Sequence, residues 1–145
     1  MEHFENLVKT LLEQEGYWVR QSFKVNLTKD EKKRIGKPSL PRPEMDILAF
    51  KPNLQEVLVL EAKSYLDSQG VRLDELREEY QKSKGRYKLF TCANYRKIVF
   101  SRLRKDLTKQ GMVHGKIQMK LGLVAGNVYQ GRNVEIRQHL EANGW

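Results

Sequence analysis

Three residues, Asp46, Glu61 and Lys63, carry charge where their neighbours predict burial. Ile47, Leu48, Ala49 and Phe50 form one continuously apolar run, and Val57 to Leu60 form another. Such runs read as central strands covered on both sides. The segment Lys51-Pro-Asn-Leu-Gln-Glu56 between them is a short turn, so strands over 45–51 and 56–64 form a hairpin. With Pro52 to Gln55 as the loop, Lys51 pairs with Glu56 and Asp46 falls opposite Glu61. Facing carboxylates repel, and charge in a buried strand is costly unless it is used. A divalent cation between them removes the conflict. A small set of hard oxygen ligands, with room left for water and phosphate, suits Mg2+.

Glu61 and Lys63 are two apart on one strand, so both side chains leave the same face. The lysine then stands beside the ion, where it can orient or deprotonate an attacking water or neutralise a scissile phosphate. The ion polarises the phosphoryl oxygen and lowers the pKa of its water. The Ala62 carbonyl is a further candidate ligand. An ordinary salt-bridged, half-solvated hairpin is the competing interpretation, and the apolar runs flanking the charges argue against it.

The elements that must position this set can be read along the chain. Phe4, Leu7, Val8, Leu11 and Leu12 follow helical spacing, and Gly16 is a stop, which predicts a helix over about 2–15. Tyr17 to Val25 reads as a strand. Residues 26–43 are polar and basic, end in Pro38, Pro41 and Pro43, and read as a long functional loop. Leu73 to Lys82 reads as helical and Gly85 to Ala93 is ambiguous. Asn94 is placed to cap a helix to about Gln110, with Val99, Phe100, Leu103 and Leu107 inward. Lys97, Ser101, Arg104, Lys105 and Thr108 face away from that stripe. Lys116 to Ala125 alternates as a strand, and 133–142 suggests a last helix. The order is α-β-β-β-α-α-β-α, without repeats, and 145 residues fit a single α/β domain over 1–145.

The net charge of +9 is concentrated. Residues 1–81 carry 13 Lys and Arg against 15 Asp and Glu, whereas residues 82–109 carry ten basic residues and the single acid Asp106. The middle segment accounts for the whole excess, which points to a polyanion partner. Lys32, Lys33 and Arg34 in the loop and Lys97, Arg104 and Lys105 in the helix are the candidate nucleic-acid contacts. No apolar run reaches membrane-spanning length, and Met-Glu-His-Phe-Glu lacks a signal-peptide pattern. One cysteine, Cys92, makes no internal disulfide, so a cytoplasmic setting is expected. One Cys and three scattered His make no zinc cluster.

The Asp46 strand, the turn and Glu61-Ala62-Lys63 resemble, in order and spacing, the motif of the PD-(D/E)XK nuclease superfamily. The chain departs from it at Pro43-Glu44-Met45-Asp46, where proline is displaced from the aspartate and Glu44 becomes an additional candidate ligand. Phe4-Glu5 followed by an apolar helix and Gly16-Tyr17 resembles the leading helix of archaeal Holliday-junction resolvases and Mrr-like restriction nucleases. The resemblance implies a restriction-endonuclease-like fold with a mixed central sheet flanked by helices. It also implies Mg2+, with Mn2+ able to substitute, and Glu5 joining Asp46, Glu61 and Lys63 in catalysis and Asp46 and Glu61 at the metal. The implied activity is phosphodiester hydrolysis of DNA, in repair, recombination or restriction, by a homodimer. RNA presents the same phosphates. The competing functions are a non-catalytic nucleic-acid-binding module and a protein–protein interaction domain with a basic face. Gln81, Ser64, His3, His114 and His139 read as surface or structural residues.

Overall fold

The computed structural model describes residues 2–145. The stripe of Phe4, Val8 and Leu12 shapes the first helix, α1 (Glu2–Gln14). Gly16 ends it at φ +92, a conformation most side chains resist, and Tyr17 N bonds back to Leu12 O at 3.1 Å. Four strands follow the β-branched and aromatic runs: β1 (Trp18–Lys24), β2 (Glu44–Lys51), β3 (Glu56–Lys63) and β4 (Gln118–Ala125). They form one sheet in the order β1-β2-β3-β4. Strands β2 and β3 are antiparallel from Lys51↔Glu56 to Ile47↔Leu60. The turn between them is a single 3-10 turn, Pro52–Leu54, closed by Gln55 at φ 51. Strand β4 runs parallel to β3, from Glu56↔Gln118 to Lys63↔Ala125. The expectations of an α/β class, a mixed sheet and a hairpin in this register hold.

The chain gathers into two compact units. One comprises the residues through Phe23, Met45–Leu73 and Gln118–Trp145; the other comprises Lys24–Glu44 and Asp74–Ile117. In the first, α1 covers one face of the sheet. Val8, Ile47, Leu60 and Ala62 form a core with Phe4, Leu12, Val19, Leu58 and Val124 packed on it. Both faces of the hairpin are buried, since Leu48, Val57 and Val59 are as enclosed as Ile47. The last helix, α6 (Asn133–Ala142), lies in this unit and buries Ile136.

The second unit is helical: α2 (Lys29–Ile35), most of α3 (Leu73–Leu76), α4 (Lys88–Thr91) and α5 (Ala93–Lys109). Helices α2 and α4 pack against α5, whose Tyr95, Ile98, Val99, Leu103 and Leu107 are buried. Three sequence expectations are corrected here. The long loop over 26–43 contains α2. Its signal was Thr28-Lys-Asp-Glu31, a capping box in which Thr28 Oγ1 accepts from Glu31 N at 3.1 Å and Glu31 Oε1 accepts from Thr28 N at 2.8 Å. Gly36 closes the helix in the left-handed region. The helix over 73–82 stops at Leu76, because Leu73 and Leu76 are its only buried residues and Tyr80 N is committed to Thr91 O at 2.7 Å. Asn94 does not cap α5. It lies inside the helix and donates to Arg34 O at 3.1 Å, while Cys92 holds the cap position. No described helix is long and apolar enough to cross a membrane.

Candidate active site

The hairpin ladder runs as far as Ile47↔Leu60. Beyond it, at Asp46, a side chain replaces the next backbone bond: Asp46 Oδ2 accepts the Ala62 N–H at 2.9 Å. The carboxylate therefore holds the residue between Glu61 and Lys63. Register put Asp46 opposite Glu61, and its bond to the amide next to Glu61 keeps the two residues at one end of the hairpin. Asp46 is half-buried, so the end of the strand stays open to water.

Glu61 and Lys63 share a face of β3, and Lys63 Nζ lies 3.6 Å from Glu61 Oε2. Both side chains are sheltered, with 21% and 17% of their surface exposed. Partial burial strengthens such a pair over one on the open surface. Strand alternation points Asp46, Glu61 and Lys63 to the face opposite Ile47, Leu60 and Ala62, the residues that α1 covers.

Glu5 is half-buried in the first turn of α1. That turn lies at the C-terminal ends of β3 and β4, because a Cβ on Gly126 would come within 3.2 Å of Phe4 Cε1. Glu5 thus belongs to the same end of the sheet as Lys63, on the side that α1 covers. Glu44 is exposed at the start of β2, two residues before Asp46.

Asp46 and Glu61 are the carboxylates at this end of the hairpin, one bonded to the Ala62 amide and the other beside Lys63. Among the described residues, no three His, Cys, Asp or Glu side chains gather into a complete metal cluster. Mg2+ suits a two-carboxylate site, because it usually keeps several waters and takes the rest of its shell from substrate phosphates. The donor chemistry therefore fits Mg2+.

Gly126 is what lets these strand ends close. Its N–H donates to Lys63 O at 2.8 Å, and a Cβ there would stand 2.6 Å from Ser64 O and 3.2 Å from Ser64 Cα. Backbone cannot yield as a flexible side-chain tip can. Gly126→Ala should lower stability by about 1–3 kcal/mol through overpacking. Thermal melts check the loss, and an unchanged melt would show that the strand ends can yield at this point.

The basic candidates all lie in the helical unit. Lys33, Arg34, Lys97 and Lys105 are exposed and Lys32 is half-buried. Arg104 is different: it donates to Gly115 O at 3.2 Å and also to Ile117 O, so its guanidinium ties α5 to the segment before β4. Sequence reasoning missed Arg102, which binds the buried Glu31 carboxylate at 2.8 and 3.1 Å. It also gave no binding role to Asn94 or Ser101, although their spacing with Lys97 puts all three on one face of α5.

No family model, curated protein or solved structure matches the chain.

Proposed function

We propose that the chain is a Mg2+-dependent DNA nuclease whose reaction centre is Asp46, Glu61 and Lys63. The observation that carries the reading is the end of the hairpin. There Asp46 is anchored on the Ala62 amide at 2.9 Å, and Lys63 stands 3.6 Å from Glu61, on otherwise apolar strands. The order of these residues resembles the PD-(D/E)XK pattern, and the mixed sheet is compatible with it.

Asp46 and Glu61, with the Ala62 carbonyl, would hold Mg2+. Bound there, the ion would supply Lewis-acid polarisation of the phosphoryl oxygen and a water of lowered pKa. The chain's own residues do the rest. The Ala62 N–H fixes one Asp46 oxygen at the end of the hairpin. The sheltered Glu61–Lys63 pair keeps the lysine near the carboxylates before substrate arrives. A phosphodiester at this end would meet the Lys63 ammonium, which neutralises charge that develops on its oxygens and orients the attacking water. Glu5 and Glu44 are secondary candidates. Lys32, Lys33, Arg34, Lys97 and Lys105 are suited to phosphate contacts that carry no sequence information.

Incubating plasmid, linear duplex, four-way-junction DNA and an RNA duplex with and without Mg2+ tests the reading. The expected result is cleavage of at least one DNA form that EDTA abolishes, with Mg2+ raising the melting temperature of the protein in a concentration-dependent way. Protein that cuts none of them and shows no Mg2+-linked shift would be a binding module instead.

A further inference from the structure

A second feature, in the helical unit, is a cleft of about 360 Å3 between α2 and α5, lined by Glu31, Arg34, Asn94, Lys97, Ile98 and Ser101. We infer that this cleft is a phosphate site that takes one phosphodiester of a nucleic-acid strand. The preference for a polynucleotide over a free phosphate rests on the nuclease reading and on the ten basic residues in 82–109.

The walls follow from helical spacing. Asn94, Lys97, Ile98 and Ser101 are one stripe of α5, and Glu31 and Arg34 are one face of α2. The Asn94 side chain donates to Arg34 O at 3.1 Å and so ties the two walls together. Ile98, 6% exposed, gives an apolar floor, and the rim is made of donors. They are a guanidinium, an ammonium, a hydroxyl and the second N–H of an amide. A tetrahedral dianion or monoanion with several oxygens uses this mixture, whereas an apolar ligand or a cation does not.

The one carboxylate in the cleft is already neutralised. Glu31 is held by Arg102 Nε at 2.8 and 3.1 Å and by Thr28 N at 2.8 Å. Burial alone would raise its carboxyl pKa, but Arg102 and Thr28 together keep it below the ordinary value. Lys97 is left in excess. Arg34 meets Asp30 at 3.1 Å and Glu31 at 3.9 Å, but the Arg34 and Asp30 side chains are 56% and 80% exposed, and a pair so open gives way to a better anion. Among the described residues, the Lys97 ammonium and the Ser101 hydroxyl have no hydrogen bond or ion pair. They are therefore available without breaking anything. The volume is at the low end of ligand clefts, roughly 300–1,000 Å3, which suits a phosphate with its flanking sugars.

The test uses the full chain in EDTA, so that binding is read without cleavage. Fluorescence anisotropy with labelled duplex and single-stranded DNA is measured against salt for wild type, Lys97→Glu, Ser101→Ala and the control Lys109→Glu. Lys109 is exposed at the end of α5 and does not line the cleft. Lys97→Glu should weaken binding by about tenfold at 0.1 M salt and reduce the log–log salt slope by about 0.9, the value for one lost phosphate. Ser101→Ala should weaken it by about threefold, and Lys109→Glu should cost clearly less than Lys97→Glu. Inorganic phosphate, titrated while amide signals are followed by NMR, should shift Asn94, Lys97 and Ser101 in wild type and not in Lys97→Glu. Equal losses in the Lys97 and Lys109 variants would reduce the effect to net charge and overturn the site. Phosphate binding at these residues with DNA affinity untouched would overturn the polynucleotide assignment. Selective loss in a protein that cuts no DNA would sink the nuclease reading and leave the cleft standing.

Discussion

Asp46→Asn and Glu61→Gln are each expected to reduce Mg2+-dependent cleavage by at least about 10²–10³-fold, the scale of losing one preorganised electrostatic group at a reacting phosphate. Asp46→Asn is informative because of the bond to Ala62. An asparagine oxygen can still accept that N–H at the observed 2.9 Å, so the strand end should survive while the charge is lost. Asp46→Ala removes both and should also lower the melting temperature. Glu61→Gln leaves Lys63 without its sheltered counter-charge. If the register is taken alone, removing either of two facing carboxylates should stabilise the metal-free protein. The structure gives each its own partner, an amide for Asp46 and an ammonium for Glu61, and the weakened partner contact offsets the relieved repulsion, so no stabilisation of the metal-free variants is expected. Mg2+ should raise the melt of wild type and of neither of these two variants. Lys63→Ala should abolish cleavage yet keep the Mg2+-linked shift, because a charged lysine offers no lone pair to a metal. Single-turnover assays beside melts with and without Mg2+ decide the matter. A Glu61→Gln protein that still cuts at the wild-type rate would remove Glu61 from the centre.

Glu31→Ala is expected to destabilise the helical unit by about 3 kcal/mol. Glu31 is 3% exposed and joins α2 to α5 through Arg102. Removing one member of a buried pair costs roughly 3–5 kcal/mol, because the other is left enclosed. The lower end applies because Arg102 keeps 22% of its side chain exposed and can reach water. The change also removes half of the capping box. Urea unfolding should show the loss, and Glu31→Leu combined with Arg102→Leu should cost less than the two single changes added together. The pH dependence has a definite sign. Burial pushes the Glu31 carboxyl up, but the hydrogen bonds and charge of Arg102 and the bonds from Thr28 outweigh it and leave the pKa below its ordinary 4.5. The folded protein therefore holds this proton less tightly than the unfolded chain. The associated stability is full above pH 4.5 and disappears as pH falls through the lower, folded-state value. Glu31→Gln should lack that acid-limb component. A wild type and a Glu31→Gln variant with parallel stability curves below pH 5 would show that the pair contributes nothing.

Much of the hairpin and its open end is legible in the sequence because it depends on local rules. Two apolar runs separated by a proline-initiated turn can pair in few ways, and Lys51↔Glu56 to Ile47↔Leu60 follow from loop length alone. The same-face relation of Glu61 and Lys63 follows from the two-residue period of a strand. Helix α1 followed from its apolar stripe. Even α2, read as loop, had a local signature in Thr28, Glu31 and Gly36; the polar, proline-ended composition around it concealed a helix of only seven residues.

The remaining features were decided by tertiary structure, because they depend on partners far apart in sequence. Which amide Asp46 would bind, 16 residues away, follows from how the hairpin ends and not from either strand's pattern. The Glu31–Arg102 pair spans 71 residues, and Arg102 reads in sequence as one more member of a basic block. Arg104, in the same block, is drawn onto the carbonyls before β4, whereas Lys97 on the same helix remains open to a ligand. Composition counts charges. Whether a cation is bound within the protein or available to a partner is set by which carboxylate or carbonyl packing brings within hydrogen-bond reach.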